Sequence, residues 1–412
     1  MSRKQKKTIF VAMSGGVDSS VAAALLKQRG FNVVGAFMRC VNLDGCAEQD
    51  AEDARRVAEH LGIPFYVFDF ENEYRREVVD YMIEGYRKGV TPNPDVMCNK
   101  EIKFGLFLTK ARALGADAIA TGHYARLGVS VERLAVSEKK TKTLPPKADP
   151  PLVETPKRYT LFVAKDKNKD QSYFLWTLTP EVLSRCLFPI GDYTKPEVRR
   201  MARRFGLPTA EKKDSQGICF LGKVSLCEFL KTRIPERLGA VVTTDGKKIG
   251  EHRGAWFYTI GQRHIGVANR GIARTERGTT RTKDADPLYV AAKDVKTNTL
   301  VVAEGNDNPA LYRTKVTLAD VSFIRSLPSL IRGNKGIMEN KIHVLARVRY
   351  RQPLAPATLV IKRHEIRSKG SRYSLIFDRP QKFVASGQSA VLYSARGEVL
   401  GGGVIAQRGQ FE

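Results

Sequence analysis

The sequence has no Cys-x-x-Cys pair among its six cysteines, which removes the common signature of a structural zinc. The six stand at 40, 46, 98, 186, 219 and 227 in a chain of 412 residues, so the dense disulfide framework of a small secreted domain is excluded too. No apolar run is long enough to cross a bilayer. The basic opening Met1-Ser2-Arg3-Lys4-Gln5-Lys6-Lys7 is followed by an apolar stretch too short for a signal peptide. The expectation is a cytoplasmic chain with no membrane partner and no metal site. Acidic residues are scarce: 43 Asp and Glu stand against 69 Lys and Arg, leaving a formal charge of +26. That surplus points to a polyanionic partner, with nucleic acid first. A solvated basic surface is the plain alternative. The length is too great for one ordinary core and implies two or three domains.

What is present begins with Ala12-Met13-Ser14-Gly15-Gly16-Val17-Asp18-Ser19-Ser20. The apolar run Thr8–Met13 before it reads as a buried strand, and Val21–Leu26 after it reads as a helix. A strand, a Gly-Gly turn and a helix start make an anion site, because glycine lets backbone N–H groups approach phosphate. Ser14, Ser19 and Ser20 add hydroxyl donors. The Gly-Lys-[Ser/Thr] ending of a Walker A loop is absent.

The pattern after this loop alternates strand and helix. Strands are expected at Asn32–Met38, Phe65–Phe70 and Asp117–Gly122. Ala51, Ala54, Val57, Ala58 and Leu61 fall on one helical face. The fold class is α/β with a parallel sheet, whose ligands bind beyond the carboxyl ends of the strands. Residues 137–157 carry five prolines among lysines and read as a mobile loop, dispensable for nucleotide binding. Helices are expected to resume after it, one of them opened by the capping box Thr194-Lys195-Pro196-Glu197. Beyond about Ser225 short strands and Gly turns take over. The alternation at Val344–Arg349 and the runs near 358–361, 373–377, 390–393 and 399–400 suggest an antiparallel barrel. The expected domains are 1–224, 225–300 (small, β-rich) and 301–412 (barrel).

Two cysteines sit in polar motifs. In Thr91-Pro92-Asn93-Pro94-Asp95-Val96-Met97-Cys98-Asn99-Lys100, Asn93 can cap a helix with Pro94 in its first turn. Asp95 and Cys98 then share a face. A core cysteine behind an N-terminal acid is a reasonable alternative for Asp-x-x-Cys taken alone. The second motif is Lys212-Lys213-Asp214-Ser215-Gln216-Gly217-Ile218-Cys219-Phe220, a polar, turn-like setting for a thiol.

In order along the chain come the Ser14–Ser19 loop, Asn93-Pro94-Asp95-x-x-Cys98-Asn99, Ala120-Thr121-Gly122-His123-Tyr124, Lys169-Asp170-Gln171-Ser172-Tyr173 and Asp214-Ser215-x-Gly217-Ile218-Cys219. Thr259-Ile260-Gly261-Gln262-Arg263, Arg349-Tyr350-Arg351-Gln352, Gly387-Gln388-Ser389-Ala390 and Gly401-Gly402-Gly403 follow. This series resembles the tRNA-specific 2-thiouridylases of the pyrophosphate-loop ATP pyrophosphatase superfamily over nearly the whole chain. The resemblance implies an adenine nucleotide α-hydrolase-like first domain and ATP-dependent replacement of O2 of the tRNA wobble uridine by sulfur. ATP with Mg²⁺ would adenylate the carbonyl oxygen. Cys219 would carry a persulfide, Cys98 would attack it and leave a disulfide, and Asp95 would serve as acid/base. Ala12, Met13, Ser14, Gly15, Gly16, Val17, Asp18, Ser19, Met38 and Gly122 match the family's ATP contacts. Asn93, Pro94 and Asp95 match its contacts with the target base, and Lys169, Asp170, Gln171, Arg349 and Tyr350 its other tRNA contacts. The implied partners are tRNA and a persulfide-delivering relay protein or cysteine desulfurase. An iron–sulfur cluster on Cys98, Cys219 and Asp95 is the less favoured alternative. One departure stands out: Arg39-Cys40-Val41-Asn42 follows Met38 where the family pattern has Lys-Asn-Trp. An amidating synthetase with the same loop is the rival enzyme class, but it would need neither two thiols in polar motifs nor a large positive charge.

Overall fold

A central parallel strand is buried on both faces and so can be apolar throughout, and Thr8–Ala12 (β1) meets that description. Ile9, Val11 and Met13 point into one core cluster, Phe10 and Ala12 into the other. The computed structural model describes residues 6–41, 45–131, 157–214, 224–263, 265, 272–275, 278–281, 286–324, 339–362 and 372–407. Around β1 lie Asn32–Arg39 (β2), Phe65–Asp69 (β3), Ala118–Thr121 (β4), and, beyond a hairpin of Ala125–Val131 (β5) and Lys157–Val163 (β6), Cys186–Leu187 (β7). The sheet order is β3-β2-β1-β4-β7, with all pairs parallel. The chain winds outward from β1 through β2 to β3, then returns to β4 on the other side. The switch point therefore falls between β1 and β4, where a crevice opens beyond the carboxyl ends.

Two helices cover one face. Val17–Gln28 (α1) buries Val21 to Leu26 without a polar residue, its three alanines letting it lie close to the sheet. Cys46–Leu61 (α2) is amphipathic: Ala54, Val57 and Ala58 are buried, while Arg55 pairs with Glu52 and Glu59 on the outside.

The expected helices directly after 157 are preceded by a strand. Lys157–Val163 pairs antiparallel with Ala125–Val131, and Leu161 and Val163 are buried. Its three polar or charged residues at the start conceal a short inward alternation. Lys157 therefore belongs to this strand rather than to the loop, and residues 137–156 lie outside the described residues. The capping box at Thr194 is present, opening the helix Lys195–Arg204.

Leu288–Asp294, Thr299–Glu304, Gly239–Thr243 and Lys248–His252 form a four-stranded sheet in that order. The last part is a closed barrel of six strands, in the order Tyr312–Phe323, Arg372–Lys382, Ala355–Lys362, Glu339–Arg347, Ser389–Tyr393 and Val399–Ile405. Leu318, Ala346, Leu359, Leu375, Phe377 and Leu392 fill its interior. The barrel docks on the first domain through buried polar contacts. Arg347 meets Asp170 at 3.0 Å, with side chains 9% and 2% exposed. Tyr173 donates to the Ser389 carbonyl at 2.9 Å and Trp176 to the Ser389 hydroxyl at 3.0 Å. Gly402 lies so close to Trp176 that a Cβ would sit 2.9 Å from the ring. The Gly-Gln-Ser and Gly-Gly-Gly motifs thus build this seam.

Candidate active site

The β1–α1 loop occupies the switch-point crevice. Gly15 holds φ +68°, and a Cβ there would lie 2.3 Å from the Asp50 carbonyl oxygen on α2. Across the crevice, a Cβ on Gly122 would lie 2.6 Å from the backbone nitrogen of Ser19. Two glycines at the ends of β1 and β4 therefore let three backbones converge. Gly16 precedes α1 without a side-chain cap, so the first N–H groups of this helix remain for an anion. Ser19 receives the Ser14 amide at 3.1 Å, and Ser20 donates to the Gly16 carbonyl at 2.7 Å, which stiffens the loop. Ala12, Met13 and Val17 are buried supports, Ser14 is exposed at the rim, and Met38 is half-buried at the end of β2. Alanine at Gly122 must push β4 from α1; if the crevice holds ATP, as the sequence resemblance implies, binding is expected to weaken about tenfold or more. Calorimetric titration with ATP, beside a melting curve to establish folding, checks this.

Charges tie this loop to the second cysteine motif. Asp18, in the first turn of α1, accepts from the Tyr124 hydroxyl at 2.9 Å and from Lys195 Nζ at 2.8 Å. Lys195 also reaches Asp214 at 2.8 Å, as do Lys169 at 2.8 Å and Arg199 at 3.0 Å. Partial burial pushes the Asp214 carboxyl up, but hydrogen bonds from Lys169 and Lys195 outweigh it and hold it at about 2. Lys212 pairs with Asp50 and Asp53 of α2. The segment leading to Cys219 is therefore pinned at Lys212 to α2 and at Asp214 to the helix Lys195–Arg204, whose Lys195 also reaches Asp18 of α1. Cys219 itself lies outside the described residues, with the rest of 215–223. Lys195 was missed as a site residue because its partners are far away in sequence and it reads locally as a helix start.

Asn93 accepts the Val96 amide at 3.3 Å and caps Pro94–Met97 as expected. The helix then widens into a π-helical run, Cys98–Leu106, in place of a regular α-helix. Asp95 is half-buried and Cys98 is 4% exposed. The barrel holds this segment: Gln388 Nε2 donates to the carbonyls of Thr91 at 3.0 Å and Pro92 at 3.2 Å. Gly387, at φ +88°, is close enough that a Cβ would fall 2.9 Å from the Thr91 oxygen. His123, just past β4, lies between Phe104 and Phe188 at 5.7 and 6.5 Å, with Nδ1 2.8 Å from the Thr121 hydroxyl. Burial, then the Lys103 charge, pushes its imidazole pKa well below the usual histidine range.

The residues matched to tRNA contacts are placed in two different ways. Lys169, Asp170 and Gln171 all have protein partners: Asp214, Arg347 and the Tyr124 amide. Arg349 and Tyr350 lie past the strand Glu339–Arg347, in a turn rather than on its face. Tyr350 rests on Phe174 with ring centres 4.5 Å apart.

Family models match three consecutive stretches. They are described as a tRNA methyl transferase HUP domain over residues 7–223, a tRNA methyl transferase PRC-barrel domain over 227–304 and an aminomethyltransferase beta-barrel domain over 313–405. The tRNA-specific 2-thiouridylase MnmA of Streptococcus agalactiae (strain NEM316) is 40% identical over 406 residues, covering 97% of this chain and 95% of that protein. The protein of the same name from Lactobacillus johnsonii is 41% identical over 414 residues, covering 99% and 97%. MnmA 1 of Geobacillus kaustophilus is 41% identical over 395 residues, covering 94% and 93%. The domain descriptions speak of methyl transfer and the relatives' names of thiolation, and identity over almost the full length of both chains favours the relatives. This chain belongs to the tRNA-specific 2-thiouridylase family.

Proposed function

We propose that this protein replaces O2 of the wobble uridine of tRNA with sulfur, using ATP. The observation that carries the reading is near-complete alignment with named 2-thiouridylases, on a chain that keeps the glycine-lined anion loop and both polar-motif cysteines. A carbonyl oxygen is a poor leaving group, and transfer of AMP to it makes a good one. The loop Ser14–Ser19, with Ala12, Met38 and Gly122, holds Mg²⁺-ATP, and pyrophosphate leaves against the α1 N-terminus. Cys219 brings sulfur as a persulfide, Cys98 completes its release through a Cys98–Cys219 disulfide, and Asp95 manages the proton. Asn93 and Pro94 shape the pocket of the target base. Arg349 and Tyr350 hold RNA directly, while Lys169, Asp170 and Gln171 act at least as much through their protein partners. Residues 1–224 serve as the catalytic domain; the central domain, expected to end at 300, runs through its strand Thr299–Glu304, and the barrel domain follows it to 412. A persulfide-carrying protein loads Cys219 in the cytoplasm, where tRNA, ATP and reduced thiols coexist.

Adenylation gives the first test. AMP and pyrophosphate are expected in equal amounts, and only when tRNA is present; steady AMP formation on a carboxylate with ammonia would overturn the reading in favour of an amidating synthetase. Salt gives the second. Each neutralised phosphate releases counterions, so log affinity for tRNA falls linearly with log salt. Arg349→Ala is expected to lower both affinity and slope while ATP binding is unchanged, as filter binding at several salt concentrations would show.

A further inference from the structure

Where the central domain meets the barrel, two cations rest on aromatic rings. The Arg349 guanidinium carbon is 5.8 Å from the centre of Phe383. Lys382 Nζ is 4.9 Å from the same ring, 5.5 Å from Tyr312 and 5.9 Å from Tyr289. Tyr289 and Phe383 are themselves 5.6 Å apart. Among the described residues neither cation forms an ion pair. Lys382 donates to the neutral Asn306 side chain at 2.6 Å, and Asp307 is engaged by the Tyr312 hydroxyl at 3.3 Å. Among the described residues, positive charge here rests on ring faces with no carboxylate in ion-pair contact.

The backbone is arranged around the same ring. Phe383 has φ +57°, a conformation rarely adopted by a bulky side chain. Gly261 of the Thr-Ile-Gly-Gln-Arg motif vacates the space opposite, since a Cβ there would lie 2.5 Å from Phe383 Cγ. Arg351, next to Tyr350, is also left-handed at φ +65° and lies over the Tyr350 ring at 5.4 Å. Strained residues of this kind cluster at active sites, ligand clamps and switch regions. A ring needed only as filler could sit on relaxed backbone.

We propose that Lys382 and Arg349 form a phosphate subsite for the tRNA backbone, with Phe383 as the positioning residue that holds both cations. Arginine offers a planar fork and lysine a point charge, a pair suited to one phosphodiester. The proposal rests on the tRNA-thiolation reading and extends its RNA contact from the Arg349–Tyr350 turn to the neighbouring strand end. Sequence reading missed it because Lys382 and Phe383 belong to no motif.

The test titrates the full-length protein with unmodified tRNA at several salt concentrations. Lys382→Gln is expected to weaken binding about threefold to tenfold and to reduce the log–log salt slope by about 0.7–0.9, as one lost phosphate contact requires. Lys382→Arg is expected to restore the slope. Phe383→Gly relaxes the backbone, because glycine accepts positive φ. It is expected to leave ATP binding intact and to lower tRNA affinity by disorienting Arg349 and Lys382. A Lys382→Gln slope equal to wild type, with a reduced slope in Arg349→Ala, overturns the subsite and leaves the thiolation reading standing. A flat salt response in the wild type and both variants overturns the tRNA reading, and the subsite with it. Wild-type affinity in Phe383→Gly refutes the positioning role of the ring.

Discussion

Serine at position 98 is expected to abolish 2-thiouridine formation, by a factor on the order of 10⁴ or more, as when a covalent nucleophile is removed elsewhere. An alcohol cannot attack a persulfide sulfur and leave a disulfide. Serine at position 219 is expected to be equally inactive for a different reason: it cannot hold the sulfane sulfur at all. The two failures are separable. Cys98→Ser should still accept sulfur from a donor, trapped as a labelled persulfide on Cys219, whereas Cys219→Ser should carry none. The Cys98–Cys219 disulfide should be missing from both. AMP transfer to tRNA can survive in both, because the nucleotide loop is a separate structure on β1 and α1. Serine is close in size to cysteine, so Cys98, at 4% exposure, is replaced without a large cavity. Full thiolation by Cys98→Ser would refute the two-thiol route. If anaerobically purified protein carries stoichiometric iron on which activity depends, the cluster alternative takes its place.

The largest effect on stability is expected at Asp170. Its carboxylate is 2% exposed and faces Arg347, itself 9% exposed, at 3.0 Å across the seam between the first domain and the barrel. It also accepts the Ala164 amide at 3.1 Å, the Ser172 amide at 3.2 Å and the Ser172 hydroxyl at 3.0 Å. Asp170→Ala removes all of these and leaves a buried guanidinium without its counter-charge, which costs about 3–5 kcal/mol in comparable pairs. Arg347→Met should cost less, because the carboxylate keeps its three other donors. Denaturant unfolding followed by tryptophan emission suits the question, since Trp176 lies at this seam and donates to Ser389. A shift no larger for Asp170→Ala than for Arg347→Met would show that the pair does not hold the barrel in place.

Features built from neighbouring residues were legible in the sequence. The Ser14–Ser19 loop, the Asn93 cap and the Thr194 capping box depend on spacings of a few residues, and each forms where the pattern places it. The barrel was legible because alternation at Val344–Arg349 and short apolar runs mark most of its strands, although the first, Tyr312–Phe323, was not singled out. The hairpin strand Lys157–Val163 escaped because it buries only a few positions and begins in lysine and arginine. The bridge from Asp18 through Lys195 to Asp214 has no local signature, since it joins residues 177 positions apart. Lys169, Asp170 and Gln171 look like exposed polar residues suited to RNA, yet each is engaged by the protein. Composition cannot distinguish a polar group that faces a ligand from one that faces another domain.

The most direct measurement incubates the full-length protein with unmodified tRNA, Mg²⁺-ATP and a persulfide donor, then digests the tRNA and analyses its nucleosides by mass. The expected result is 2-thiouridine at the wobble position, formed one for one with AMP and absent when ATP is omitted. Unchanged wobble uridine, with AMP released onto a different acceptor, would contradict it.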